Sequence, residues 1–231
     1  MPETKKFQII KGIPIFSSLT EKELKEIESL FAEEVVKKDE YIFWEGDPSN
    51  WLYVVSEGKV RVLKQSASGK DIILEIISSG DLFGGVAVLD KRPYPASAQA
   101  MENSKILKLS RSNILKILDS YPTVAIDIVT YMGKRLRDAH EMMRSLAAER
   151  VEKRIATILL RLAEKIGIEE TGGTRLDINL TRLDLAEMAG TTVETAIRVM
   201  SKFGKEGLVD SHAKKIVITN KEKLQSLLEN K

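Results

Sequence analysis

The chain has 231 residues, with 36 basic and 34 acidic side chains, 43% hydrophobic residues and no cysteine. Length and apolar content suit one or two packed domains, while the missing cysteine excludes disulfides, thiol catalysis, cysteine redox sensing and thiolate-held zinc or iron–sulfur sites. No apolar run approaches the ~18 residues that span a bilayer, and MPETKKFQII lacks a signal peptide's apolar region and cleavage site, so a cytoplasmic protein without a membrane partner is expected.

Near the N-terminus, Ser17-Ser18-Leu19-Thr20 leads into a short predicted helix with Leu24, Ile27, Leu30 and Phe31 on one side. From Glu40 to Leu109, short β-rich segments alternate with turn signals at Gly46-Asp47-Pro48, Glu57-Gly58, Ser68-Gly69, Gly80-Asp81 and Arg92-Pro93, the pattern of a small barrel or jelly roll. Lys59 to Leu63 alternates basic and apolar residues, so one face of that strand is wet. The glycine-rich Gly80 to Gly85 run is placed among strands with no helix behind it, and is therefore not read as a phosphate-cradling loop.

The period becomes helical at Ser112. After Tyr121-Pro122, Ala125, Val129, Met132, Leu136, Ala139, Met143 and Leu146 recur at alternating steps of four and three, a heptad seam flanked by Lys134, Arg135, Arg137, Glu141 and Arg144. Self-pairing into a homodimer is the simplest partner for it; the alternative is that the stripe packs on the chain's own barrel. The charged stretch Glu149 to Arg154 is read as a hinge, which gives expected domains at residues 1–118, 119–148 and 149–231.

Between Leu180 and Leu208 two short helical patterns meet at Gly190, the spacing of a helix-turn-helix. Thr181 caps the first helix and Thr192 the second. In the second, Ala196, Val199, Met200 and Phe203 face a core, which leaves Val193, Glu194, Ile197 and Arg198 outward; a plain amphipathic hairpin is the alternative. After Gly207, the run to Ile218 reads as strand, polar turn, strand, the wing of a winged helix, with Lys214 and Lys215 at the turn. The net charge of +2 is carried by residues 151–231, with 14 basic and 12 acidic side chains against 22 of each before them. Arg182, Arg198, Lys202, Lys205, Lys214 and Lys215 gather around the two helices and the wing, enough local cations to neutralise phosphates of double-stranded DNA.

Barrel, long helix and winged helix in that order, with Gly46-Asp47, Gly58, Gly80-Asp81-Leu82-Phe83-Gly84 and the Thr181 to Arg198 motif, resemble the Crp/Fnr family of bacterial transcription regulators over nearly the whole chain. The resemblance implies an α+β protein: an N-terminal β jelly-roll barrel, a long dimerisation helix and a C-terminal winged helix-turn-helix. It implies a homodimer on a two-fold operator, with RNA polymerase as a partner. By the same resemblance Glu194 and Arg198 read a G·C pair, as arginine can donate twice to guanine and a carboxylate can accept from cytosine. Val193-Glu194-Thr195 is similar to the Fnr branch, so half-sites like TTGA are expected, with Ile197 against a thymine methyl where that branch carries serine. Thr181, Arg182, Thr192, Thr195, Lys202 and Lys214 complete the expected DNA-contacting set.

The effector cassette departs from the family. Phe-Gly-Glu is Phe83-Gly84-Gly85 here, the Arg-Ser phosphate anchors fall on Tyr94 and Pro95, and the Thr-Ser pair expected for adenine is Ala139-His140. A buried phosphate without a cationic partner is costly to desolvate, so cyclic AMP is not the expected effector; Arg92 is a cation near enough in sequence to be its surrogate partner. Phe83, Gly84, Gly85, Tyr94, Ala96, Ser97, Ala139 and His140 mark the position of an effector pocket, whose unknown small-molecule ligand or absence is left open, an atypical cyclic-nucleotide pocket included. No cofactor and no metal are expected; a haem sensor using His140 is the alternative. An enzyme finds no support, because no Ser-His-Asp set, metal-ligand spacing or Walker loop is present. A third reading makes the chain a small-molecule receptor whose helix-turn-helix binds protein.

Overall fold

The computed structural model describes residues 4–66, 69–212 and 215–229. The chain forms two compact units, residues 1–69 with 74–138 and residues 70–73 with 139–231.

In the first unit, α1 (Lys5–Lys11), a single 3-10 turn at Pro14–Phe16 and α2 (Glu21–Glu28) precede the strands. Strands β1 (Phe31–Val36), β2 (Tyr41–Phe43), β3 (Trp51–Glu57), β4 (Val60–Gln65), β5 (Asp71–Ile77) and β6 (Leu82–Phe83) follow, then α3 (Gly85–Asp90), β7 (Ser97–Ala100), β8 (Ser104–Ser110) and α4 (Arg111–Ser120). They build two four-stranded sheets of order β1-β8-β3-β6 and β2-β7-β4-β5. Leu52, Tyr53, Val54 and Val55 are all buried, so β3 does not alternate. Its two faces are covered because helix residues Phe7, Ile10, Leu24, Ile27, Ile114 and Ile117 join the same apolar cluster as the barrel's Phe43, Val60 and Ala98.

Helix α5 (Thr123–Ala148) is 26 residues long and bears two apolar stripes one residue apart. Val124, Ile128 and Tyr131 pack on the barrel core, and on the same side Arg135 forms a two-pronged ion pair with Glu75 of β5 and reaches the Tyr131 hydroxyl at 3.4 Å. The neighbouring stripe is the heptad seam. Val129, Leu136, Met143 and Leu146 are 70%, 58%, 57% and 44% exposed, Ala125 and Ala139 are exposed and Met132 is half-buried.

In the second unit, α6 (Val151–Ile166) leads to strands β9 (Gly167–Glu170) and β10 (Gly173–Leu176). Helices α7 (Arg182–Ala189) and α8 (Val193–Lys205), strands β11 (Val209–His212) and β12 (Lys215–Ile218), and α9 (Lys221–Glu229) complete it. The four strands form one sheet of order β11-β12-β10-β9. Ile155, Leu159, Leu185, Phe203, Leu208, Ile216 and Leu224 are its innermost side chains, each at 0–1% exposure.

Two expectations need correction. Helix α2 stops at Glu28, with Leu30 in the turn after it and Phe31 opening β1, because Phe31 pairs with Leu109 in the β1–β8 ladder and that pairing outweighs a helix-compatible spacing. A helix does follow the Gly80 to Gly85 run: Gly84, at φ 74°, redirects the chain into α3, whose Ala87 and Val88 are buried. The β9–β10 hairpin and α1 have no counterpart in the sequence reading.

Gly173 turns that hairpin at φ 140°, and a Cβ there would lie 2.1 Å from the Ile218 carbonyl oxygen. Gly173→Ala is expected to destabilise the winged-helix unit by about 1–3 kcal/mol, read as a lower urea midpoint; an unchanged midpoint would show that the β10–β12 edge yields without cost.

Candidate nucleic-acid interface

The helix-turn-helix is fixed by its caps. The Thr181 hydroxyl accepts from the Asp184 N–H at 3.0 Å while the Asp184 carboxylate accepts from the Thr181 N–H at 2.8 Å, a reciprocal capping box that starts α7. Gly190 ends that helix at φ 58°, the left-handed cap that glycine adopts freely. The Thr192 hydroxyl accepts from the Thr195 N–H at 3.3 Å and starts α8.

Within α8, Ala196, Val199, Met200 and Phe203 are buried. The same 3.6-residue period therefore turns the other side outward: Glu194 and Arg198 are exposed, Ile197 is 49% exposed, and Val193 and Thr195 are half-buried. Glu194 and Arg198 stand four residues apart and so share a face. The Glu194 carboxyl is held below the usual carboxylate range by its own backbone N–H and then by the Thr192 hydroxyl, so it presents an acceptor at neutral pH.

The cations divide into engaged and outward groups. Half-buried Arg182 donates from Nη2 to the Ser211 hydroxyl of β11 at 2.7 Å, and burial lowers its guanidinium from the ordinary arginine value. Lys202 pairs with Glu152 at 3.1 Å, whereas Arg198, Lys205 and Lys215 are exposed. A groove lined by Arg182, Ile197, Ser201, Asp210 and Ser211 runs between α8 and the wing strands. Lys214 and the wing tip lie outside the described residues. Arg154, which spacing arguments did not single out, reaches the helix-turn-helix turn from α6.

Around the expected effector positions Phe83 and Tyr94, aromatic rings pack together. Phe43, Tyr53, Phe83 and Tyr94 are buried and stacked, with Phe43–Tyr94 centroids 3.8 Å and Tyr53–Phe83 centroids 5.3 Å apart. The Tyr94 hydroxyl donates to the Trp51 carbonyl at 2.6 Å and accepts from the Trp51 N–H at 3.2 Å, supplying the pairing that a neighbouring strand would otherwise give. Burial pushes both phenols, Tyr53 and Tyr94, above their ordinary values.

Gly84 leaves room for those rings, since a Cβ there would sit 3.2 Å from Tyr94 and 3.3 Å from Tyr53. A Cβ on Gly85 would lie 2.7 Å from Leu52 Cδ1. Ala96 is buried, and the Ser97 hydroxyl accepts from the Glu45 N–H at 2.8 Å. Arg92 is 85% exposed and faces Asp90 at 3.8 Å. Ala139 and His140 are exposed positions on α5. Among the described residues, no group of three or more His, Asp or Glu could hold a metal ion, and no helix is long and apolar enough to cross a membrane.

The family model for a cyclic nucleotide-binding domain matches residues 33–121, and that for a Crp-like helix-turn-helix domain matches residues 153–227. The cyclic AMP receptor protein of Thermus thermophilus is 32% identical over 200 residues, 87% of this chain and 89% of that protein. The chain belongs to the Crp/Fnr family of transcription regulators. The anaerobic regulatory protein of Bacillus subtilis is 26% identical to this Crp/Fnr regulator over 94% of the chain and 92% of that protein. Among solved structures, FixK2 from Bradyrhizobium japonicum superposes with a TM-score of 0.77 at 27% identity, covering 85% of this regulator and 96% of that chain. The CRP-like cAMP-activated global transcriptional regulator of Mycobacterium tuberculosis is 26% identical over 79% of the chain and 82% of that protein.

Tyr94→Phe removes one hydroxyl and leaves two part-buried Trp51 backbone groups without it. The barrel of this Crp/Fnr regulator is expected to lose about 1–3 kcal/mol, measured by chemical denaturation; a loss of zero would mean that water replaces the phenol at Trp51.

Proposed function

We propose that this Crp/Fnr regulator is a homodimer that binds a palindromic, TTGA-like operator and controls transcription from it. The observation that carries the reading is the outward Glu194–Arg198 pair on a helix whose opposite side is locked into a core. Arg198 supplies the bidentate donor for guanine and Glu194 the acceptor for the paired cytosine. Ile197 contacts a thymine methyl, and Val193 and Thr195 flank it. Thr181, Arg182, Thr192 and Lys202, together with Lys214 of the wing tip outside the described residues, serve as phosphate contacts, and they fix register rather than sequence. The exposed seam from Val129 to Leu146 supports pairing of two copies, since a heptad stripe of this length is otherwise left in water.

The barrel reads differently from the family's cyclic-nucleotide cassette. Its phosphate-anchor position holds Tyr94, bonded to the Trp51 backbone, and its ribose-anchor position holds Gly85 against Leu52, so the residues present do not fit a cyclic nucleotide. DNA binding accordingly does not depend on cyclic AMP, and the protein taken without any added ligand is competent for its operator.

Fluorescence anisotropy at fixed salt, on a palindrome of two TTGA half-sites about 10 bp apart centre to centre and on a scrambled duplex, tests this directly. The ligand-free protein is expected to prefer the palindrome, and added cyclic AMP to leave the affinity unchanged; equal binding to both duplexes contradicts the operator, and a cyclic-AMP requirement contradicts the reading of the barrel. Arg198→Ala is expected to cost about 1–3 kcal/mol on the palindrome and to relax the preference at the guanine; equal losses on palindrome and scrambled DNA would make Arg198 a phosphate contact. Leu136→Glu places like charges across the seam and is expected to yield monomers in analytical ultracentrifugation, whereas retained dimers would place the interface elsewhere.

A further inference from the structure

Arg154 occupies the fourth position of α6, where a cation is disfavoured by the positive end of its own helix. Its guanidinium is turned toward the negative ends of two other helices instead. Nε donates to the Ala189 carbonyl at 2.9 Å and Nη2 to the Gly190 carbonyl at 3.4 Å, the last turn and cap of α7, while Nη1 donates to the Glu149 carbonyl at 3.0 Å, directly after α5. Helix C-termini leave their carbonyls without intrahelical partners, and one planar five-donor fork satisfies three of them.

The surroundings make this contact a fixed joint. Glu149 is held back on α5, its N–H donating to the Ser145 carbonyl at 2.9 Å and its carboxylate accepting from the buried Ser145 hydroxyl. Leu146 lies over the helix-turn-helix turn, where a Cβ on Gly190 would be 3.3 Å from its Cδ2. Two residues, Glu149 and the extended Arg150, connect α5 to α6. The end of the seam helix and the turn that carries the recognition helix are thus joined through one side chain.

We propose that Arg154 is the positioning residue that sets the angle at which each recognition helix is held on the dimer helix, and thereby the half-site spacing that the dimer reads. The inference rests on the two-half-site reading above. In a dimer built on α5, a change of a few degrees at this joint moves both recognition helices relative to each other, whereas the contacts of one helix with one half-site stay as they are. Lysine reaches the same carbonyls only as a point donor and cannot bridge them.

The test uses full-length wild type, Arg154→Lys and Arg154→Met, each checked by circular dichroism and sedimentation for folded dimers. Binding is measured on a series of palindromes built from the half-site that the wild type prefers, with centre-to-centre spacing varied around about 10 bp, and on a duplex holding one half-site. Wild type is expected to show one sharp optimum. Arg154→Met is expected to lose roughly tenfold at that optimum, as the loss of charged hydrogen bonds would give, to bind neighbouring spacings nearly as well, and to keep its single half-site affinity; Arg154→Lys falls between. If Arg154→Met does not fold, the flattened profile of Arg154→Lys carries the same test. Variants that keep the wild-type optimum and sharpness, or lose the same factor on the single half-site as on the palindrome, overturn the role of Arg154 alone. A wild type without any preferred spacing overturns the two-half-site reading, and this inference with it.

Discussion

The structure depends on a division of labour around helix α5. An α-helix in which every third and fourth residue is apolar has one interface; α5 has two such stripes, displaced by one residue, and therefore two. Val124, Ile128 and Tyr131, with the Arg135–Glu75 pair beyond them, commit one side to the barrel, and that commitment fixes which way the second stripe faces. Val129 and Leu136, one residue round from that side, are left 70% and 58% exposed. Both stripes thus follow from one helical register.

A similar constraint shapes the DNA-facing surface. Ala196, Val199, Met200 and Phe203 pin α8 by its apolar side, and the helix period leaves Glu194, Ile197 and Arg198 as the side presented outward. The caps at Thr181 and Thr192 set where each helix begins, and Gly190 sets the turn between them. The outward side of α8 is thus set by groups that are not on it: hydroxyls, a carboxylate and a glycine that settle helix starts and the turn, and a core that settles rotation.

Such features were legible in the sequence because their causes are local. A hydroxyl just ahead of an apolar helical pattern, a glycine between two amphipathic patterns, and a stripe with alternating steps of four and three each state helical structure through near neighbours in the chain. The double-sheet barrel and its turns were legible for the same reason. Phe31 was misplaced because both helix and strand satisfy its spacing and only pairing with Leu109, far along the chain, decides between them. Helix α3 was missed because the glycines before it read as loop. The contacts of the Tyr94 hydroxyl with Trp51, and of Arg154 with Glu149, Ala189 and Gly190, are made to backbone groups, which carry no residue-type signal at all.

The barrel's interior gives the regulator its individual character. Phe43, Tyr53, Phe83 and Tyr94 stack inside it, and the Tyr94 phenol bonds the Trp51 backbone at a strand edge. The proposed function requires that the ligand-free protein hold two recognition helices in a binding-competent pair. Selection of bound duplexes from a random DNA pool by the purified, ligand-free protein tests this. Enrichment is expected of a two-fold symmetric motif whose half-sites carry an invariant G·C pair about one helical turn apart. Recovery of an unsymmetric motif, or of no motif until a small molecule is added, would contradict it.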